Sequence, residues 1–269
     1  MVSPVTQQRS WTPNGYTWGV ALLLTGLTET IHPLRPVLIL LVELALLYTA
    51  GAQATGRLYG LARSFPGGAS RLLFYALVFP GVALHECAHF AACLLSATKV
   101  ARFRPFAPRE GADGRVRLGY VSHERRPAPL QALIGLAPVA VNPLGILILT
   151  TLLTPLSPID LTPANPAPLF ATLYKALAAT PAPVVVLWAY LCVSFALGSV
   201  PSREDLSSVP AAILAIALAV LLLARFGGTA GFDLLTALCT VAAFLAPLYA
   251  LPTAVALAAF VLVAALSRP

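Results

Sequence analysis

From Pro33 onwards the chain is a succession of long apolar runs, and nothing else constrains its fold as strongly. A helix of about 20 apolar residues crosses roughly 30 Å of hydrocarbon, since each residue rises about 1.5 Å. Pro33 to Ala50, Arg71 to Ala97, Pro129 to Leu153, Pro183 to Val200 and Val209 to Phe226 meet or approach that length. Phe232 to Leu266 is long enough for one kinked span or a tight hairpin, with Pro247 and Pro252 near its middle. Tyr16 to Ile31 is a further apolar stretch, interfacial or a short extra span, with Glu29 inside it and His32 beside it. Lipid offers backbone groups no hydrogen-bond partners, so such runs fold as helices. The expected fold is an all-α polytopic, multi-pass integral membrane protein with about six transmembrane helices. Hydrophobic residues at 58% and charged residues at 10%, against about 25% charged in soluble domains, exclude a cytosolic globule, a disordered regulator and a secreted disulfide scaffold.

The four cysteines, Cys87, Cys93, Cys192 and Cys239, lie within apolar runs and read as small buried hydrophobes without a disulfide framework. Met1 to Gly15 is polar and lacks the pattern of a signal peptide, so the first spans are expected to serve as their own insertion signal.

The formal charge of +7 comes from Lys and Arg set between apolar stretches rather than in a lysine-rich block. That distribution suits a lipid bilayer and not nucleic acid. Thr98 to Pro127 carries eight basic residues and three acidic ones, which places it in the cytoplasm by the positive-inside rule. Pro201 to Ser208 then faces the cytoplasm too, and Gly51 to Ser70, despite Arg57 and Arg63, forms an outside loop. Within the insertion, Val100 to Phe106 and Arg115 to Val121 alternate apolar and basic positions around Asp113-Gly114. This pattern predicts a short cytoplasmic β-hairpin lying against the membrane face; a solvated basic loop on anionic lipid is the simpler alternative. Thr154 to Pro183, with seven prolines, reads as a stiff extended loop. The organisation is an N-terminal membrane segment with its loop over 1–70, a core over 71–208 with its insertion at 98–127, and C-terminal helices over 209–269.

Inside the second span stands His85-Glu86-Cys87-Ala88-His89. In a chain of this composition, chance yields such an H-E-x-x-H run about twice in a thousand sequences. On a helix the two imidazoles are about one turn apart on one face and can share a tetrahedral zinc, while Glu86 can reach a metal-bound water without ligating the metal. A histidine pair hydrogen-bonded to neighbouring helices is the plainer reading. Ionisable groups so close together in a membrane helix are costly unless they serve a hydrated or metal-bound site. Cys93 shares the stripe, but about 12 Å of rise separates it from His85.

A catalytic zinc takes three protein ligands and a water, so one ligand must come from another element at similar depth. Val200 to Leu206 follows the fourth span, and Pro201 breaks the helix so that irregular backbone can line a cavity. Asp205 is the favoured ligand, with Glu204 and His123 as alternatives; a helix cap or a surface carboxylate beside Arg203 is its plainer role.

The order of these parts resembles the site-2-type intramembrane zinc metalloproteases: the span with His85 to His89, a β-rich insertion, a span with Ala137-Pro138-Val139-Ala140-Val141-Asn142-Pro143, then a carboxylate at the end of a span. The likeness covers about residues 71 to 208. It implies one zinc per chain, held by His85, His89 and an Asp usually found in Leu-Asp-Gly. That motif is missing here, and Pro201 to Asp205 stands in for it. The resemblance also implies that Glu86 is the general base and that Asn142 helps hold substrate backbone or the oxyanion; bonding to backbone freed by Pro138 or Pro143 is the alternative for Asn142. The expected activity is endopeptidase cleavage of a membrane-protein or peptide substrate within or near a span, at a site towards the cytoplasm. The rivals are a membrane scaffold with a structural zinc site, which has no need of Glu86, and an ion-coupled transporter, which predicts inverted repeats that the sequence lacks.

Overall fold

A computed structural model describes residues 34–66, 68–111, 116–157, 160, 166–226 and 229–267. The Tyr16 to Ile31 stretch with Glu29, His32 and the Asp113-Gly114 turn lie outside the described residues. The described elements are α1 (Arg35–Ser64), α2 (Ala69–Leu95), four short strands β1 (Val100–Arg104), β2 (Arg109–Glu110), β3 (Val116–Arg117) and β4 (Tyr120–His123), then α3 (Ala128–Leu153), α4 (Pro166–Ala178), α5 (Ala182–Gly198), α6 (Val209–Phe226) and α7 (Ala230–Leu266). The protein is mostly helical with a small β region, and α1, α2, α3 and α7 are each long and apolar enough to cross a membrane. Helices α5 and α6 are equally apolar but shorter, at 17 and 18 residues.

Two expectations change, and of two stated alternatives one is observed. Gly51 to Ser70 is not a loop, because α1 continues to Ser64 and buries Gly51, Ala54, Tyr59 and Ala62. Small side chains packed on neighbours sustain a helix without a strongly apolar sequence. Thr154 to Pro183 is not extended throughout, since α4 forms within it. Pro166 and Pro168 fall in the first turn of α4, where a missing N–H breaks no helical bond, and Leu169, Leu173 and Ala176 bury one helical stripe. Phe232 to Leu266 is one helix rather than a hairpin, with Pro247 and Pro252 inside α7.

Helices α2, α3 and α5 pack pairwise into a three-helix core, while α1 lies along α7. The α2–α5 contact depends on glycine: a Cβ at Gly81 would sit 1.8 Å from the Ser194 carbonyl oxygen, and one at Gly198 would sit 2.4 Å from that of Gly81. Prolines inside α2 and α3 add a second kind of contact, because each frees the carbonyl four residues before it. The Tyr190 hydroxyl donates to Ala76 O (2.7 Å), freed by Pro80, and the Tyr249 hydroxyl donates to Val139 O (2.8 Å), freed by Pro143.

After α2 the chain reverses at Ala97, which takes a left-handed φ of 48°, while the Thr98 N–H closes on Cys93 O at 2.8 Å. The insertion forms an antiparallel hairpin whose ladder is interrupted: β1 pairs with β4, Arg104 opposite Tyr120, and nested within it β2 pairs with β3, Arg109 opposite Arg117. Pro105 and Pro108 lie between β1 and β2 and cannot donate to a ladder, which accounts for the interruption.

The insertion does not lie across one end of the bundle. It runs back along α2, with Phe103 stacked on Phe90 (4.6 Å between centroids) and Phe106 edge-on to Phe79 (5.1 Å), and Glu110 reaches Tyr59 and Arg63 near the end of α1. The Tyr59 hydroxyl donates to Glu110 and, with Arg63 and Arg71, holds that carboxyl below its usual range against a smaller opposing effect of burial. Phe106, Val116 and Leu118 pack on the Tyr59, Phe74 and Val78 cluster, while Arg102, Arg104, Arg109 and Arg117 are exposed. The described basic residues of the insertion are thus spread along α2 instead of gathered at one end.

A Gly81→Ala variant should lower the unfolding midpoint in detergent by an amount consistent with about 1–3 kcal/mol of overpacking. Gly56→Ala, where a Cβ meets nothing within 4 Å, should be neutral or stabilising. Equal midpoints for the two variants would refute the close α2–α5 contact.

Candidate metal centre

Two backbone carbonyls orient the motif histidines. The His85 Nδ1 lies 2.7 Å from Gly198 O, at the C-terminal end of α5, where helix carbonyls lack intrahelical partners. The His89 Nδ1 lies 2.9 Å from Ile134 O, the carbonyl freed by Pro138 in α3. A carbonyl only accepts, so each Nδ1 carries a proton, and a neutral ring then presents the lone pair of its Nε2. Those two Nε2 atoms are 3.1 Å apart.

The third group comes from the connector after α5. Ser202 and Asp205 form a reciprocal turn: the Ser202 N–H donates to Asp205 Oδ2 (2.6 Å), and the Asp205 N–H donates to Ser202 Oγ (3.1 Å). Asp205 therefore closes a turn rather than capping a helix, and it faces the histidines, with Oδ1 3.2 Å from His89 Nε2 and Oδ2 3.6 Å from His85 Nε2. Among the described residues His85, His89 and Asp205 form one group whose donor atoms could hold a metal ion.

The other sequence candidates separate from this group. Glu86 is buried beside the ligands but does not join them, and Gly119 of the insertion covers it so closely that a Cβ there would be 2.7 Å from Glu86 Cγ. Glu204 turns outwards to Arg117 (3.2 Å), and His123 Nδ1 bonds Glu124 O (2.8 Å), so neither alternative third ligand is in the group. Asn142 is fully buried; its Nδ2 donates to Gly198 O (3.2 Å) and Pro138 O (3.3 Å), and its Oδ1 has no partner among the described residues. It thus shares the carbonyl that orients His85. The carbonyls freed by Pro138 and Pro143 go to His89 and Tyr249, not to Asn142.

Sequence reasoning missed Gly135, Gly198 and Gly119, whose signal was a glycine in an apolar or basic run. Gly135 decides whether Asp205 can approach, since a Cβ there would be 2.3 Å from Asp205 O. Gly135→Ala should push the connector away and reduce metal bound per chain, on the order of the 10- to 100-fold affinity loss typical of residues that support ligands. Elemental analysis of the purified variant beside wild type checks this, and equal metal content would refute it.

Comparison with protein-family models, with curated proteins and with solved structures finds no match to this chain.

Proposed function

We propose that the chain is an intramembrane zinc endopeptidase of the site-2 type, with about six spans formed by α1, α2, α3, α5, α6 and α7. One observation carries the reading. The two Nε2 atoms are 3.1 Å apart, His89 Nε2 is 3.2 Å from Asp205 Oδ1 and His85 Nε2 is 3.6 Å from Oδ2, so one donor atom from each residue lies within 4.8 Å of the others, close enough to share an ion. With both Nδ1 atoms donating to carbonyls, the donor set is two imidazole nitrogens and one carboxylate, which suits zinc and leaves a fourth position open.

Bound zinc would polarise a carbonyl and lower the pKa of a ligating water towards 7. Glu86 would accept that water's proton and deliver it to the leaving amine as the C–N bond breaks, so that one water is consumed for each peptide bond cleaved. Asn142 would act by holding Gly198 O, the carbonyl that orients His85. A substrate helix must unwind to expose its carbonyls, and the two-stranded β1–β4 sheet offers edges onto which an extended segment can add. Glu86 favours this reading over a structural zinc site, because it sits beside the ligands without being one.

Wild type should carry one zinc per chain, and His85→Ala, His89→Ala and Asp205→Ala should each lose it. Glu86→Gln should keep the metal while fragments of co-expressed single-span proteins fall by about 10²- to 10⁴-fold. Full zinc in the histidine variants would overturn the ligand assignment, and undiminished cleavage by Glu86→Gln would remove it as the base.

The site is proposed to lie towards the cytoplasm, the side assigned to the Leu95 end of α2 and to Lys99, Arg125 and Arg126. A Lys99→Cys variant should resist an impermeant thiol reagent on intact cells and react after permeabilisation. Labelling from outside would invert the orientation.

A further inference from the structure

Of the five prolines inside described helices, the three in α2 and α3 each free a carbonyl that a side chain of another helix takes. Tyr190 takes Ala76 O and Tyr249 takes Val139 O, contacts that fasten helices together. The third carbonyl, Ile134 O, is taken by His89.

We propose that Pro138 is a positioning residue of the metal centre: by vacating Ile134 O it supplies the acceptor that fixes His89 as the Nδ1–H tautomer and turns its Nε2 towards the ion. The inference rests on the metal reading of His85, His89 and Asp205. Any other residue at 138 would bring an N–H, and that N–H would close the ordinary helical bond to Ile134 O and compete with the imidazole. His89 is 7% exposed and Pro138 is among the fully buried residues, so water has little access to replace the lost acceptor. Without it the ring has no fixed tautomer, and Nδ1 becomes as available as Nε2.

The neighbouring residue adds to the same effect, because Gly135 admits the Asp205 backbone to this turn of α3. One turn, Ile134 to Pro138, thus orients one ligand and makes room for another. His85 needs no such device, since its acceptor, Gly198 O, is at the end of a helix.

Pro143 provides the control. It lies in the same helix, and its freed carbonyl serves Tyr249, which is no part of the centre. Zinc affinity of the purified full chain in detergent would be measured by competition with a chromogenic chelator. Pro138→Ala should bind zinc about 10- to 100-fold more weakly than wild type, and Pro143→Ala within about twofold of it, although both variants restore one helical bond and straighten α3.

Unchanged affinity in Pro138→Ala overturns the inference, and so does an equal loss in both variants, which would mark a general effect of straightening the helix. A second measurement needs no variant: histidine ¹⁵N spectra of zinc-loaded wild type should show Nδ1 protonated and Nε2 coordinated at His89. Coordination through Nδ1 would overturn the inference even if Pro138→Ala does not fold. Wild type that binds no zinc removes the metal reading and this inference together, whereas unchanged affinity in Pro138→Ala removes this inference alone.

Discussion

Two imidazole Nε2 atoms 3.1 Å apart and a carboxylate against both of them cannot rest in an apolar bundle as bare lone pairs. Each Nδ1 is committed to a carbonyl, so the ring faces that meet are acceptors, and only a cation or a shared proton between them relieves the repulsion. The three-helix core is arranged around that requirement. Helix α2 brings the histidines, α3 and α5 bring the carbonyls, and the connector after α5 brings the charge.

Features that weaken an isolated helix make this arrangement available. Proline in a helix interior removes a hydrogen bond at a cost of about 3 kcal/mol, and in lipid the freed carbonyl has no water to turn to. Here such carbonyls become acceptors for Tyr190, His89 and Tyr249, which replaces a lost bond within one helix by a bond between two. Glycine has the complementary effect: Gly81, Gly135 and Gly198 carry no side chain where backbone from another element passes. Since lipid tails are as apolar as leucine, close approach and interhelical bonds carry much of the packing that hydrophobic burial supplies in water.

The insertion adds a further condition. By running along α2 it stacks aromatic residues on the helix that bears the motif, and Gly119 rests on Glu86. The insertion thereby closes that side of Glu86. The exposed Arg117–Glu204 pair, which contributes little energy by itself, also connects β3 to the segment that holds Asp205.

Much of the fold and of the site was legible along the chain, because it depends on short-range spacing. Apolar runs gave the helices, and the four-residue interval of His85 and His89 placed both rings on one face. The reciprocal pair Ser202 and Asp205 is also local, and the alternation in 100–121 predicted strands. Where local pattern misled, tertiary packing was the reason: small residues past Ala50 continue α1 because they are buried, and prolines at 166 and 168 begin a helix because its stripe finds a core. The break in the hairpin's ladder, where Pro105 and Pro108 cannot donate, is a detail that alternation alone does not show. Glu204 and His123 were excluded only by where their side chains end up, outwards towards Arg117 and beside Glu124. Sequence by itself determined which side chains could share a metal ion, since that follows from side-chain type and helical period. Tertiary structure decided which of them meet and which nitrogen each histidine presents, because both depend on carbonyls and close approaches from helices distant in the chain.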